Sequence, residues 1–295
     1  MKWVIVGGGG QLGQALSTFL DESTDTYTSL SKFQLDITNR SRLMELLVSE
    51  KPDIVINAAA WTNVDSAEER ASSVFEINVK GTYNLAICCL ELGITLVQLS
   101  TDYVFGGNQT QPIEEDARKF PLSVYGRSKA IAEDIVLGVL PETGIIVRTS
   151  WLYSRWGKNF AKTILDKLAT LEKGTVVSVV NDQIGQPTSA SELSQQLHTI
   201  GHNRVPAGIY HATNSGAVSW CEFALKIQEL SGMDQVLIAG VKSEGWPAKA
   251  KRPSFSVLSN SKLELLGLNS MSNWERALEI EMPYLIGIQN RTQMP

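Results

Sequence analysis

Cysteine is scarce in this chain: only Cys88, Cys89 and Cys221 occur in 295 residues, and two of them are adjacent in an apolar run. A vicinal disulfide is strained and the third thiol is remote, so a disulfide framework is excluded and reduced, buried thiols are expected. Histidine is equally rare, limited to His198, His202 and His211. His198 and His202 stand four apart, as metal ligands can on a helix. No Cys, Asp or Glu accompanies them in a ligand pattern and Gly201 lies between, so no metal is expected there. Long apolar runs are also missing. None approaches the roughly 20 residues of a membrane span, and the opening 3–6 stretch is too short for a secretory signal, which makes a cytoplasmic protein the expectation. Basic excess is missing too: 26 Lys and Arg face 31 Asp and Glu, for a net charge of −5. Nucleic acid is therefore not an expected partner, and an anionic small substrate would need a local basic pocket.

What is present is ordinary globular composition, 43% apolar and 19% charged, without an internal repeat or low-complexity linker. The first half alternates short apolar runs with amphipathic ones. Residues 2–6, 27–30, 54–57, 94–99 and 145–148 read as strands; 11–20, 38–50, 74–92 and 124–139 read as helices. Continuous Val/Ile/Leu runs between helices indicate strands covered on both faces, hence a parallel sheet. After about residue 150 the alternation loosens. Helices are predicted over 160–171, 192–200 and 220–230, a strand over 176–180, and a loop over 240–253. The expected architecture is α/β: a Rossmann-type doubly wound parallel sheet over 1–150 that binds a dinucleotide. A smaller, mainly substrate-binding C-terminal α/β lobe over 151–295 returns some segments to the first unit.

The run Val4-Ile5-Val6 leads into Gly7-Gly8-Gly9-Gly10-Gln11-Leu12-Gly13. A tight turn between a strand and a helix needs glycine because a Cβ would keep the backbone away from a pyrophosphate. The helix N-terminus then offers free N–H groups and a positive dipole end. The glycines satisfy both G-x-G-x-x-G, counted from Gly8, and G-x-x-G-x-x-G, counted from Gly7, so the motif does not choose between them. The second strand ends near Ser31-Lys32, without the acid that often binds an NAD ribose. Lys32 either meets a 2′-phosphate or is a solvated surface lysine.

Tyr125 and Lys129 stand four apart, on one face of a helix. They follow a strand ending in Ser100-Thr101-Asp102-Tyr103, hydroxyls at the carboxyl edge of the sheet, where doubly wound folds bind ligands. Hydride delivered to a carbonyl carbon builds negative charge on oxygen, which needs a proton donor within hydrogen-bond reach. Tyr125 suits that role, a lysine ammonium beside it would lower its pKa, and Thr101 would supply a second hydrogen bond. Lys129 is also placed to hold a nicotinamide ribose.

The glycine turn, Asn57-Ala58-Ala59-Ala60, Ser100 to Phe105, and Tyr125 with Lys129 together resemble the extended short-chain dehydrogenases/reductases. More narrowly, the blocks Arg148 to Tyr153, Asn159 to Thr163, Asn181-Asp182-Gln183 with Gly185 and Pro187-Thr188, Gly208 to His211 and Arg252-Pro253 are similar to the dTDP-4-dehydrorhamnose reductase family. The blocks run in family order across nearly the whole chain. The resemblance implies NAD(P)H-dependent reduction of the C4 ketone of dTDP-4-dehydro-β-L-rhamnose, with Tyr125 as proton donor, Lys129 as its electrostatic partner and Thr101 as its tuner. It implies that Thr101, Asp102, Tyr103 and Trp151 touch the deoxysugar. Gly7, Gly10, Gln11, Leu12, Gly13, Ser31, Lys32, Asp36, Ile37, Ala58, Ala59 and Ala60 would line the cofactor site. Asp36 would take the adenine amine, unless it merely caps the next helix. Trp151 would lay its aromatic face on the C6 methyl of the sugar, with core packing as the alternative. Arg252, with Lys249 and Lys251 beside it, is the candidate for the substrate diphosphate. Some members hold Mg²⁺ at a dimer interface through glutamates. This chain has Ala15 and Ser191 there, with Glu192 one position off, so neither a metal nor a metal-bridged dimer is expected, leaving a monomer or weak homodimer. A nucleotide-sugar epimerase or dehydratase shares the turn and the trio but keeps its cofactor through the cycle. A non-catalytic regulatory subunit would be expected to have lost Thr101, Tyr125 or Lys129.

The Ser31-Lys32 tip predicts that NADPH is used at least as well as NADH. The ratio of kcat/KM for the two cofactors tests this, and a strong preference for NADH overturns it.

Overall fold

The computed structural model describes residues 1–292. In the first half the chain runs β1 (Lys2–Val6), α1 (Gln11–Asp21), β2 (Thr26–Leu30), α2 (Arg40–Glu50), β3 (Ile54–Asn57), α3 (Val64–Glu69) and α4 (Ala71–Phe75). A π-helical turn (Glu76–Gly81), α5 (Thr82–Leu92), β4 (Thr95–Thr101), a 3₁₀ turn (Asp102–Val104), α6 (Val124–Val139) and β5 (Gly144–Thr149) follow. The second half contains β6 (Leu152–Tyr153), α7 (Phe160–Thr170), β7 (Val176–Val180), β8 (Ile184–Gly185), β9 (Thr188–Ser189) and α8 (Ala190–His202). After these come β10 (Gly208–His211), β11 (Val218–Ser219), α9 (Trp220–Ser231), β12 (Leu237–Val241), α10 (Ser261–Leu265) and α11 (Trp274–Thr292).

Six strands form one parallel sheet in the order β2-β1-β3-β4-β5-β10. The period-2 alternation of β1 distributes its side chains over both faces. Trp3 and Ile5 join Leu12, Leu16, Leu193, Leu197 and Ile200 under α1 and α8. Val4 and Val6 join Leu43, Leu47, Leu85, Val136 and Ile146 under α2, α5 and α6. Helix coverage on both faces is why these strands read as unbroken apolar runs. A third core gathers α7, β7, α9 and α11 around Ile164, Leu165, Phe223, Ile227 and Leu278, beside the parallel β7–β12 pair. The chain leaves β1 toward β2 and then crosses to β3 on the other side. The order therefore reverses between β1 and β3, which opens a crevice beyond their carboxyl ends.

Local chemistry sets the boundaries. Asn39 caps α2 by accepting from the Arg42 N–H, so that helix begins at Arg40 rather than at residue 38. Ser219 and Glu222 close α9 in a reciprocal capping box. Gly93 ends α5 at φ 66°. The single helix predicted over 74–92 is instead interrupted by the π turn. Residues 208–211 form the sixth strand of the main sheet, and Leu237–Val241 adds a strand at the start of the predicted 240–253 loop. Cys88, Cys89 and Cys221 are free and buried, and burial raises each thiol pKa. Among the described residues no helix is long and apolar enough to cross a membrane.

One polar group lies deep between helix and sheet. Glu133 of α6 and Arg148 of β5 are 0% and 1% exposed. They pair through two hydrogen bonds, Arg148 Nε to Oε1 and Nη2 to Oε2, each 2.8 Å. Ser100 donates to Oε1 at 2.5 Å. Burial alone would raise the Glu133 pKa, but the hydrogen bonds and charge of Arg148 outweigh it and hold the carboxyl below its ordinary value. Arg148→Met should cost about 3–5 kcal/mol by stranding Glu133 in the interior, and a Glu133→Leu/Arg148→Met double variant should recover much of that loss. Urea unfolding of the three proteins checks this; a double variant no more stable than the single one refutes it.

Candidate active site

The glycine turn sits at the head of the crevice. Gly7 and Gly8 both donate to the Leu30 carbonyl, at 3.0 and 2.8 Å, which pins the turn to the end of β2. Gly7 has φ +86°, and a Cβ there would come within 2.5 Å of the Ala59 nitrogen. A Cβ on Gly13 would lie 2.5 Å from Gly8 Cα and 2.6 Å from the Gly7 carbonyl. Gly9 and Gly10 meet nothing nearer than 3.4 and 3.3 Å. Gly8 is held as tightly, a Cβ there meeting Ser29 Oγ at 2.2 Å and the Leu30 nitrogen at 2.9 Å, so Gly7, Gly8 and Gly13 are all sterically required and both glycine registers stay satisfied. No side chain caps α1, whose N-cap is Gly10, whereas serine or asparagine side chains close α2, α6, α7, α8 and α9. An uncapped helix start with glycines packed beneath it fits a dinucleotide pyrophosphate.

The side chain of Gln11 turns to the second half of the chain. Its Oε1 accepts from Ser154 Oγ at 3.1 Å and from Asn159 Nδ2 at 2.9 Å. Leu12 is buried in the core under α1. At the far end of the crevice, Ser31 donates its N–H and its hydroxyl to Gln34 Oε1, and Lys32 is exposed. Asp36 does not cap α2. Its Oδ1 accepts the N–H and hydroxyl of Thr38, which, with a smaller contribution from the charge of Lys32, hold its pKa down. Ile37 is a core side chain, 4% exposed, lying so close to Gly81 that a Cβ there would be 2.5 Å away. Ala58, Ala59 and Ala60 are half-buried beside the glycine turn.

The structure brings Thr101, Asp102, Tyr103, Tyr125 and Lys129 together at the carboxyl end of β4. Ser123 caps α6 through the Gly126 N–H at 3.0 Å, and Glu68 accepts the Val124 N–H at 2.7 Å, fixing the first turn that carries Tyr125. A Cβ on Gly126 would lie 2.2 Å from the Tyr103 carbonyl, so this helix can approach the strand end only with glycine there. Thr101 Oγ1 donates to Asp102 Oδ1 at 2.9 Å, and its side chain also meets the Tyr125 hydroxyl. The Tyr103 and Tyr125 rings meet edge-to-face, 5.7 Å between centroids. Burial raises the pKa of both phenols and pushes Asp102 up to about 6, with Ser256 and Thr101 pulling the other way.

Lys129 departs from the sequence expectation. Its Nζ donates to the Leu99 carbonyl at 2.6 Å, so burial rather than an adjacent ammonium sets the direction of the Tyr125 shift. Burial lowers the Lys129 pKa to about 8, while the Glu133 charge, one helical turn away, pulls it up. The same Leu99 carbonyl accepts from Gln98 Nε2 at 2.8 Å, and Gln98 Oε1 accepts from Asn57 Nδ2 at 2.7 Å. A hydrogen-bonded chain therefore runs from the end of β3 to the buried ammonium.

On the substrate side, Trp151 stacks on Trp220 at 3.4 Å and 7°. A Cβ on Gly185 would come within 2.5 Å of the Trp151 ring. One indole face is thus taken by Trp220, which leaves less of the ring for a sugar methyl than the sequence suggested. Arg252 donates to Asp65 Oδ2 at 2.7 Å and also meets the Tyr103 side chain, which puts its guanidinium near the site but already paired. Lys249 pairs with Glu69, docking the same loop on α3. Sequence reasoning missed Asn78 in the π turn, which is 1% exposed. It accepts the Trp61 N–H at 2.7 Å and donates to Ser128 Oγ at 2.9 Å, beneath the turn that carries Tyr125. An asparagine amid apolar helix residues was its only sequence signal. Trp220 was read simply as a helix start.

Residues 1–282 match a family model described as the RmlD substrate binding domain. The chain is 38% identical over 294 residues to a dTDP-4-dehydrorhamnose reductase of Streptomyces griseus, covering 98% of this chain and 96% of that protein. It is 35% identical to a dTDP-4-keto-6-deoxy-D-glucose reductase of Streptomyces niveus, covering 96% and 97%. Its structure is similar to that of a dTDP-4-dehydrorhamnose reductase from Bacillus anthracis in complex with NADP. The TM-score is 0.91 at 36% identity, covering 96% of this chain and 98% of that one.

The buried Lys129 generates a prediction. Between pH 8 and its ordinary value of 10.5 the folded chain has lost this proton and the unfolded chain keeps it, so stability rises with pH across that window. Below pH 8 the fold bears the whole cost of the buried charge. Lys129→Met should therefore be about 1–3 kcal/mol more stable at pH 7, because the Leu99 carbonyl keeps its bond from Gln98. The gain should shrink through pH 8–10.5, while activity falls at least ~100-fold. Urea unfolding across pH, together with turnover, checks both halves; a destabilised variant at pH 7 refutes the first.

Proposed function

The chain belongs to the family described by the RmlD substrate-binding-domain model, and on that premise we propose that it reduces the C4 ketone of dTDP-4-dehydro-β-L-rhamnose to dTDP-L-rhamnose with NADPH or NADH. The observation that carries the reading is the convergence of Thr101, Tyr125 and Lys129 at the carboxyl end of β4. They lie on the same sheet edge as the glycine turn of β1.

When bound, the nicotinamide cofactor supplies the hydride. The remaining steps belong to the protein. The free N–H groups at the start of α1 hold the pyrophosphate, and Gln11, tied to Ser154 and Asn159, links that turn to the substrate side. Tyr125 Oη donates its proton to the carbonyl oxygen as negative charge develops on it. The Thr101 hydroxyl, which rests on Asp102 Oδ1, rotates to donate to the same oxygen and helps orient the phenol. The Lys129 ammonium, which rests on the Leu99 carbonyl, would hold the nicotinamide ribose and supply positive charge to the site from below the phenol. Asp102, Tyr103 and Trp151 contact the deoxysugar, while Arg252 shares its guanidinium between Asp65 and the substrate diphosphate. Burial of the site excludes water and strengthens each of these contacts.

A second reading keeps the chemistry and changes the sugar. The Streptomyces niveus relative carries the name of a dTDP-4-keto-6-deoxy-D-glucose reductase, and the Trp151–Trp220 stack leaves less aromatic surface to select one epimer. Loss of NADPH absorbance with each 4-keto-sugar in turn separates the two readings.

Tyr125→Phe should lose about 10²–10⁴-fold in kcat while still binding NADPH. With Lys129 at about 8, kcat/KM should fall as pH rises above that value, because deprotonation removes the cation that would hold the nicotinamide ribose. Normal turnover by the Phe variant overturns the assignment of Tyr125, and a flat profile through pH 9 overturns that of Lys129.

A further inference from the structure

The two histidines for which the sequence offered no acidic neighbour acquire one through the fold. Asp25, which precedes β2, lies against His198 and His202 of α8. Its Oδ2 is 3.1 Å from His198 Nε2 and 2.6 Å from His202 Nε2. The donor atoms of all three residues lie within 4.8 Å of one another. We propose that Asp25, His198 and His202 form a binding site for a divalent transition-metal ion of the zinc class. The proposal is independent of the catalytic reading.

The donor set and its spacing support it. Two imidazole nitrogens and one carboxylate oxygen are a borderline-soft set that suits Zn²⁺, Co²⁺ or Ni²⁺ rather than Mg²⁺ or Ca²⁺. Ligand atoms about 2.0–2.1 Å from a tetrahedral ion stand about 3.3 Å from one another; the His198 separation of 3.1 Å is close to this, while His202, at the hydrogen-bond distance of 2.6 Å, has a half-exposed ring that can swing outward to admit the ion. Placement on successive turns of one helix brings both Nε2 atoms to the same side. The three side chains are exposed by 3% for Asp25, 24% for His198 and 40% for His202, which leaves a fourth position open to water.

The surroundings hold the ligands in place. Trp3 Nε1 donates to Asp25 Oδ2 at 2.9 Å, and the Met1 ammonium lies on Oδ1 at 2.6 Å. Trp3 stacks on the His198 ring, 5.7 Å between centroids, and Phe19 meets the same ring at 5.0 Å, edge-on. Oδ2 faces the Trp3 N–H and two imidazole Nε2 atoms whose donor or acceptor role depends on the tautomer. With Nε2 deprotonated on both rings, a cation seated among the three ligands uses the imidazole lone pairs and replaces those hydrogen bonds.

The location assigns the role. Asp25 and Trp3 lie at the amino edge of the β1–β2 pair, while Gly7, Thr101 and Tyr125 lie at the carboxyl edge, a five-residue strand away, or about 16 Å. A metal ion there is remote from the reacting carbonyl. It clips α8 to the first two strands across 173 residues of sequence, so it acts on stability and not on turnover.

The test uses tag-free, metal-stripped protein. Calorimetric titration with Zn²⁺ should give one ion per chain, and Co²⁺ should give the visible absorption of a tetrahedral site. Zinc in excess should raise Tm by about 5 °C and leave kcat unchanged. His202→Gln, which alters a half-exposed ring, should weaken binding at least about tenfold. Imidazole NMR signals of His198 and His202 should shift with zinc while that of His211 stays, a readout that needs no variant. Absence of binding up to roughly 1 mM zinc, equal binding by His202→Gln, or a Tm that responds to pH but not to zinc overturns the site. A kcat that depends on zinc overturns the structural role.

Discussion

Helix α6, which carries Tyr125 and Lys129, is held in place by one buried ion pair. Glu133 and Arg148 are almost wholly shielded from solvent, and their bidentate geometry leaves α6 one rotation and one depth against β5. Tyr125 and Lys129 lie on that helix, Lys129 one turn before Glu133. Ser100, the residue before Thr101, donates to the same carboxylate and so ties the strand end to the helix. Arg148 extends the arrangement outward, donating to the Glu115 carbonyl at 3.0 Å and lying over Phe105 at 4.9 Å. It also meets His211 of β10 at 3.2 Å. Burial and the Arg148 charge keep the His211 pKa down at about 3, so that ring stays neutral beside the guanidinium. Three neighbouring strands and the catalytic helix therefore share one polar centre. Its charge also reaches the chemistry, because Glu133 is what keeps the buried Lys129 from losing its proton still more readily.

The parts of this architecture legible in the sequence are those that depend on local rules. The β1 run, the glycines and the Leu12/Leu16/Leu20 stripe follow from residue period and from the exclusion of Cβ atoms, which a linear reading can apply. Tyr125 and Lys129 were found because a helix places residues four apart on one face. What stayed hidden depends on distant partners. Nothing near Gln11 announced that its amide would bond to Ser154 and Asn159, more than 140 residues away. Which of the four glycines are sterically required could not be read from their order. It is set by the Ala58–Ala59 backbone crossing beneath Gly7, the Ser29–Leu30 segment beside Gly8 and Gly8 packing against Gly13. Asp25 was invisible as a histidine partner because the α1–α8 packing that joins them brings together segments 173 residues apart.

The site also carries charge and polarity that the fold does not need for its own stability. Lys129 and Asp102 are buried and Tyr125 half-buried at one strand end, with Lys129 lowered to about 8 and Asp102 raised to about 6. Each shift marks an ionised form that burial disfavours. A sheet covered on both faces by apolar helices can offset such a cluster because its two cores are continuous to either side. The cost is confined to the carboxyl edge, where the crossover from β1 to β3 already leaves a crevice.

Trp151, the residue proposed to meet the sugar, draws on the third core. Trp151 has φ 42°, in the left-handed region that bulky residues seldom occupy. Its position is held from several sides: its carbonyl accepts the Thr188 N–H at 3.2 Å, Trp220 covers one face, and Gly185 presses close to the ring. Trp220 in turn packs on Phe160, and Phe160 on Phe223, which lies in the core among α7, α9 and α11. Strain of this kind persists only where the surroundings over-determine it. The Trp151 indole is therefore one end of an aromatic row running into that core. On the proposed function, a change at Phe160 or Phe223 would alter sugar preference without touching the sugar, whereas the α6–β5 ion pair would position the proton donor. The Trp151 row and the Tyr125 helix are thus anchored in different parts of the interior, and the Gln11 amide, bonded to Ser154 and Asn159, ties the glycine turn to the second half of the chain.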